Sequence, residues 1–242
     1  MSIVKKIFEL RIVRPRKIAL IFEQVHLKKF FEYYAVDCVF DVGANSGQYA
    51  KMLRKQVGYK GPIISFEPMP DAISILQSKS NLDPNWYIEP VALDDNNGTK
   101  DFNVMAGHQF SSLHDPSQKE VELFKDLNIV TNKISVKTST LKDMYEKYEK
   151  MLNFKRPFLK MDTQGHDLVI AQSSGDTINS FVGLQSELSI KKIYEDTPDY
   201  RTVIDYYRSH NFELSAFVPN NEGHFPRLIE IDCIMYNEKF NP

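Results

Sequence analysis

From residue 36 onward, short apolar runs alternate with amphipathic stretches along the chain. CVFDV (38–42), PIISFEP (62–68) and WYIEPVAL (86–93) read as strands, and the spacing predicts helices over 48–57 and 72–80 between them. Strands separated by helices of this length require right-handed crossovers and a parallel sheet. A less regular stretch follows, with a polar turn DDNNG (94–98), strand-like DFNVMAG (101–107), the loop segment HQFSSLHDP (108–116), helical KEVELFKDL (119–127) and the strand KISVKTSTL (133–141). The alternation then resumes: PFLKMDTQG (157–165) is strand-to-loop, HDLVIAQS (166–173) helix, FVGLQSEL (181–188) strand and PDYRTVIDYYRSHN (198–211) helix. FELSAFVP (212–219) and RLIEIDCIMYN (227–237), joined by NNEGHFP (220–226), close the chain as an antiparallel pair.

Ahead of this alternation, residues 1–35 are predicted helical, interrupted at Pro15, with Ile18, Ile21, Phe22, Val25, Phe30, Phe31 and Tyr34 at spacings near three and four. The pattern is that of an extension that packs on something. Lys5, Lys6, Arg11, Arg14, Arg16 and Lys17 make its start basic, which suits peripheral contact with an anionic membrane, a partner or a second copy in a homo-oligomer, as well as a plain solvated face. With no internal repeat and no low-complexity linker, one domain is expected over 36–242, with the helical extension over 1–35.

A chain of 242 residues, 42% of them hydrophobic, fills a sizeable core. Its 30 basic and 32 acidic residues leave a net charge of −2, so overall charge makes no case for nucleic-acid binding. Cys38 and Cys233 both sit in apolar strand-like runs and are expected as reduced core thiols, which points to the cytoplasm. The first residues are basic but lack an uninterrupted apolar core and a small-residue cleavage site, unlike a signal peptide, and no apolar stretch has the length of a membrane span.

The chemistry centres on VFDVGANSGQYA (39–50), where an apolar strand runs through an acid and two glycines into a helix start. Such junctions bind nucleotide-like ligands in open α/β sheets. The dinucleotide pattern G-x-G-x-x-G is not met by Gly43, Ala44, Asn45 and Gly47, and Asp41 at the mouth of the turn would repel a pyrophosphate. S-adenosylmethionine suits the turn better, because it carries an ammonium and a sulfonium and no phosphate. Glu67, twenty residues after Gly47 at the end of ISFEP, is placed to accept both ribose hydroxyl protons, with Pro68 beside it. After the third strand, Ala92 and Leu93 are expected against the adenine, with Asp94 as acceptor for its exocyclic amine.

Taken in order, DVGANSGQY, ISFEPMPDA, PVALDDNNGT, FSSL, FLKMDTQGHDL and GLQSEL resemble the FkbM family of S-adenosylmethionine-dependent methyltransferases over about residues 36–240. The resemblance implies an α/β class I methyltransferase (Rossmann-like) fold, a mostly parallel seven-stranded sheet with an antiparallel last strand. It also implies O-methylation of hydroxyls on sugars, glycans or natural products, with S-adenosylhomocysteine as product. One departure is visible: Asp167 stands where the family often has Glu.

Methyl transfer to a hydroxyl needs alignment and removal of a proton. Asp162, at the carboxyl end of a strand, is a candidate to orient the methionine ammonium, touch the acceptor or act as base. His166, at a helix start, is the first candidate base. Lys160 and Glu187 are placed to shape the acceptor pocket, and His108, His114, Ser111 and Ser112 belong to a loop that folds over it. Tyr194, Tyr200, Tyr206 and Tyr207 are a possible sugar platform, although core packing explains them more simply. Asp162, Asp167 and Glu187 offer oxygen ligands, but no compact ligand set is present, so no metal is assigned. The sequence therefore reads as an O-methyltransferase of a carbohydrate or glycosylated metabolite. The alternatives are a lipid or polyketide hydroxyl, an amino acceptor, and a non-catalytic cofactor-binding scaffold.

Overall fold

The computed structural model describes residues 18–107, 111–117, 126–219 and 226–240. The basic positions before residue 18, His108, most of the helix expected over 119–127 and most of the 220–226 turn lie outside the described residues.

Seven strands form the central sheet: β1 (Cys38–Val42), β2 (Ile63–Phe66), β3 (Trp86–Glu89), β7 (Pro157–Met161), β8 (Gly183–Ser189), β9 (Phe212–Pro219) and β10 (Glu230–Asn237). Their spatial order is β3-β2-β1-β7-β8-β10-β9. All pairings are parallel except those of β10, which enters between β8 and β9 and runs antiparallel to both. The sheet is thus the seven-stranded class I methyltransferase arrangement with its last strand reversed, as expected. β1, β2 and β7 are buried at every position, the near-continuous burial a central parallel strand requires.

The third predicted strand breaks. WYIEPVAL separates at Pro90 into β3 and the short β4 (Ala92–Leu93), which leaves the main sheet to pair with β6 (Val130–Ser139). Proline has no N–H to give to a ladder, so the turn falls there. β4, β6 and β5 (Gly98–Met105) form a second, three-stranded sheet that the sequence pattern did not suggest.

The helices are α1 (Ile18–Tyr34), α2 (Gln48–Met52, continued by a π turn over Leu53–Val57), α3 (Pro70–Ser80), α4 (Leu141–Leu152), α5 (Asp167–Ser173) and α6 (Tyr200–Ser209). α4 has no counterpart among the predicted helices. Its signals were there: Thr140 accepts from the Asp143 amide at 3.1 Å as N-cap, and Leu141, Tyr145, Tyr148 and Leu152 repeat at helical spacing.

Two buried clusters pack against opposite faces of the sheet, one with Phe40, Leu159 and Leu184, the other with Val39, Ile63 and Phe158. α1 covers the second face with Leu27, Phe30, Phe31 and Tyr34, and Phe30 and Phe31 meet Phe158 at 5.4 and 5.1 Å between ring centroids. The predicted stripe holds only in this half. Ile18, Ile21, Phe22 and Val25 are exposed, and Ala19, Leu20 and Glu23 border a cavity instead. The physical reason lies below the helix: the sheet surface under its N-terminal half carries the polar side chains of Lys160, Gln185 and Asp232, and Gln185 donates to Glu23 at 2.9 Å. Both cysteines are free and buried.

Candidate active site

That polar surface is a row of in-register residues at the carboxyl ends of the parallel strands. Ser65, Asp41, Lys160 and Gln185 lie opposite one another on β2, β1, β7 and β8, and Glu187 lies opposite Asp232 on β10. A cavity of about 950 Å³ opens above it, large enough for a nucleoside-sized ligand and an acceptor together.

At the β1 end, Gly43 sits at φ +74°, and a Cβ there would come within 2.0 Å of the Asp162 carbonyl oxygen. The turns after β1 and β7 therefore touch backbone to backbone. Gly47 (φ +81°) packs under Trp86, where a Cβ would meet the ring at 2.7 Å, so it shapes the turn without lining the cavity. Ala44 and Asn45 do line it. The Glu67 carboxylate is oriented by two backbone amides, Asn45 N–H to Oε2 at 2.8 Å and Met69 N–H to Oε1 at 2.9 Å. Each oxygen keeps further accepting capacity and the residue lines the cavity, as an acceptor for a ribose diol must. Burial raises the Glu67 carboxyl, against the pull of these amides. Pro68, Ala92 and Leu93 line the same cavity as apolar surface for a planar base.

Asp41 lies below this surface. It is fully buried, takes a hydrogen bond from Ser65 at 3.0 Å, which in turn accepts from the Trp86 indole at 2.9 Å, and faces the Lys160 ammonium at 3.5 Å. Asp41 thus acts through Lys160 rather than by touching a ligand. Lys160 also sees Asp162 at 3.6 Å, the Val42 and Gly43 carbonyls at 3.4 and 3.3 Å and the Tyr49 ring at 5.4 Å. Burial works against its charge, but Asp162 and Asp41 outweigh it and hold the ammonium above its ordinary pKa. A lysine so held is a fixed cation and no base.

Asp162 is the accessible carboxylate of the group. Its side chain is 44% exposed, lines the cavity, and accepts from Gln164 Nε2 at 3.0 Å. The same Gln164 nitrogen donates to Glu187 at 3.2 Å, while its oxygen accepts from Tyr194 at 2.7 Å. Gln164, Gln185, Tyr49, Glu23, Glu230 and Asp232 were all missed in sequence. The signal available was charge inside strands that should be apolar: Lys160 in PFLKM, and Glu230 and Asp232 at alternate positions of LIEIDC.

His166 and Asp94 are placed differently from expectation. Asp94 does not line the cavity; its carboxylate is buried against His166 Nε2 at 2.9 Å, Lys100 Nζ at 2.5 Å and its own neighbour's amide, Asp95 N, at 2.8 Å. Burial opposes its ionised form, but these donors outweigh it and hold the carboxyl below the usual range. Asp94 therefore positions His166 and offers nothing to an adenine amine. His166 reaches the cavity wall, but its second nitrogen, Nδ1, faces His114 Nε2 at 3.1 Å. Both ring nitrogens therefore have protein partners, and neither is left facing the cavity alone. Burial and the neighbouring His166 depress His114 to about 4. Ser111 lines the cavity, whereas Ser112 is turned to the Gln164 carbonyl at 3.1 Å. Tyr194 and Tyr207 are core residues and Tyr206 bonds the Ala171 carbonyl, so these tyrosines form no sugar platform. Asp167 is consumed by Thr163, Ser186 and the Glu187 amide, and its shorter side chain fits that role.

The family model described as Methyltransferase FkbM domain matches residues 41–214. Among solved structures, a methyltransferase FkbM from Methylobacillus flagellatus KT superposes with TM-score 0.50 at 14% identity, over 83% of this chain and 44% of that one. The chain thus spans less than half of that protein. An rRNA methylase from Streptococcus thermophilus matches with TM-score 0.47 at 8% identity, over 94% and 98% of the two chains. Aeropyrum pernix fibrillarin, with natively bound S-adenosyl-L-methionine, matches with TM-score 0.46 at 11% identity, over 82% and 66%. Among curated proteins, none matches the sequence significantly.

Proposed function

The chain belongs to the FkbM methyltransferase family and is S-adenosylmethionine-dependent, and from that premise we propose that it methylates a hydroxyl of a carbohydrate or carbohydrate-bearing small molecule. The observation that carries the reading is one cavity shared by Glu67 and Asp162, which follow β2 and β7 with β1 between them.

The residues present fit the cofactor. Glu67, with both oxygens oriented by amides, is the ribose acceptor; Ala92, Leu93 and Pro68 supply apolar surface, and the Gly43 turn lets the backbone approach closely. When bound, S-adenosylmethionine supplies an electrophilic methyl on a sulfonium, whose departure needs no proton. Asp162 orients the acceptor hydroxyl and takes its proton on a carboxylate oxygen as the hydroxyl oxygen gains the methyl carbon. Lys160 holds Asp162 and the Gly43 carbonyl in place beside it. Asn45 and Ser111 line the cavity with hydrogen-bonding groups of the kind a polyol uses.

The test is S-adenosylhomocysteine release with sugar acceptors, together with calorimetric titration of that product. Asp162→Asn is expected to lose turnover at least a hundredfold while keeping product affinity within threefold. Turnover unchanged in the variant would remove Asp162 from the chemistry; no nucleoside binding by the wild type would remove the whole reading.

A second acceptor class is favoured by a separate observation. Ile18, Leu20, Ile21, Phe22 and Val25 are exposed on α1, and Leu20 among them borders the cavity, as a contact with a lipid surface beside the acceptor pocket would require. Anionic liposome binding that a Phe22→Ser, Ile21→Ser variant abolishes would support a lipid hydroxyl; binding by neither protein excludes it. Deleting residues 1–35 is the wrong test, because it uncovers Phe158.

A further inference from the structure

The sheet face under α1 holds more buried negative charge than its own cations balance. Lys160 is already shared between Asp41 and Asp162. Farther along, toward β10, the cavity is walled by Glu23, Glu187, Glu230 and Asp232. Side-chain amides reach three of them: Gln185 donates to Glu23 at 2.9 Å and to Asp232 at 2.8 Å, and Gln164 donates to Glu187. Glu230 differs. It is 3% exposed and lines the cavity, and its carboxylate takes no hydrogen bond or ion pair from any described residue.

A carboxylate removed from water without a partner is strongly disfavoured, and the group responds by taking up a proton. Burial, with Asp162 and Asp232 beside it, pushes Glu230 up to about 8, and burial and Glu230 together push Glu187 well above the usual carboxylate range. A neutral or apolar group placed here would leave these acids as they are. An ammonium brings three donors and a charge, and replaces the protons the wall otherwise holds.

We infer that this wall is a cation subsite of the acceptor pocket: the hydroxyl-bearing acceptor also carries a protonated amine, as an amino sugar does, and Glu187 and Glu230 receive it. The inference rests on the methyltransferase reading and narrows its acceptor class. Among the described residues no three acidic, histidine or cysteine side chains converge on a point that a metal ion could occupy. A spread wall of this kind suits an organic cation, whose donors point in several directions, better than a divalent ion.

The experiment titrates full-length protein, saturated with S-adenosylhomocysteine at about pH 7, with glucosamine, with its neutral counterpart glucose, and with magnesium. Wild type, Glu230→Gln and Glu187→Gln are compared. Glucosamine is expected to bind at least tenfold more tightly than glucose, with the preference falling below threefold in Glu230→Gln. Its binding should release protons, read from heats in buffers of different ionisation enthalpy. Glu187→Gln tests the same wall should Glu230→Gln fail to fold. Equal binding of the two sugars, no binding of either, or magnesium binding that Glu230→Gln removes without any sugar preference would each overturn the inference. Nucleoside binding in the wild type is read beforehand, as the protein is brought to saturation with S-adenosylhomocysteine, so a failed amine preference with that binding intact leaves the methyltransferase reading standing.

Discussion

Replacing Lys160 by methionine tests the arrangement on which the site rests. The stem volume is nearly conserved, so little of the effect comes from a cavity. What is lost is the ammonium 3.5 Å from Asp41 and 3.6 Å from Asp162. Asp162 is 44% exposed and its share is screened by water, so most of the effect falls on Asp41, which is fully buried and left with Ser65 as its donor. Breaking a buried pair by removing one member destabilises by about 3–5 kcal/mol, which for a chain of this size lowers Tm by roughly 6–20 °C. The loss also has a pH signature. Burial already raises the Asp41 carboxyl in the intact protein, and removing Lys160 raises it further. A group whose folded-state pKa lies above its unfolded value stabilises below the unfolded pKa and loses that contribution as pH rises through the folded one. The variant should therefore suffer most at high pH and recover toward low pH, by up to about 1.4 kcal/mol per pH unit while only the folded state is protonated. Urea melts of Lys160→Met between about pH 5 and 9, beside Lys160→Met/Asp41→Asn, measure this. A loss under about 1 kcal/mol, a loss independent of pH, or a double variant no more stable than the single one would refute the reasoning.

Glu67→Ala should weaken S-adenosylhomocysteine roughly ten- to a hundredfold by calorimetry, since a hydrogen bond to a charged group contributes about 1.5–3 kcal/mol; unchanged affinity would mean the ribose is held elsewhere. Gly43→Ala should cost at least about 3 kcal/mol, combining left-handed strain with a backbone clash, while Gly58→Ala, at φ +81° with nothing within 4 Å of its Cβ, should show the strain alone. Equal Tm losses in the two variants would contradict the close approach of the β1 and β7 turns. Glu230→Gln should decline less in stability than the wild type between pH 4.5 and 8, because the wild-type folded state binds one more proton there; the variant's advantage must grow with pH, and one that shrinks would contradict a raised Glu230.

Much of this protein is decided within short stretches of chain. The order of strands and helices, the Gly43 turn, Glu67 at the end of β2 and Asp162 at the end of β7 are all legible because each depends on residues a few positions apart. The period of the apolar pattern, a glycine where the chain turns, and an acid at a strand's carboxyl end are local facts. The same locality explains the error at α1, whose apolar spacing says where a helix forms but not what lies beneath its first half.

What only the tertiary structure decided is which distant polar groups meet. Asp41, Lys160 and Gln185 become neighbours through the β1–β7–β8 register, across separations that no pattern of period two or 3.6 can encode. In sequence Asp94 reads as an adenine contact, but the fold surrounds it with His166 and Lys100; His166 reads as a base, but both its nitrogens have protein partners. Glu230 and Asp232 reached the cavity because β10 enters the sheet backwards between β8 and β9, which carries the first residues of the last strand to the end where the parallel strands finish. Local composition sets which elements form, since backbone preference and burial act over a few residues. Charge pairing at the site is set by strand register, because the residues it joins are adjacent only across the sheet.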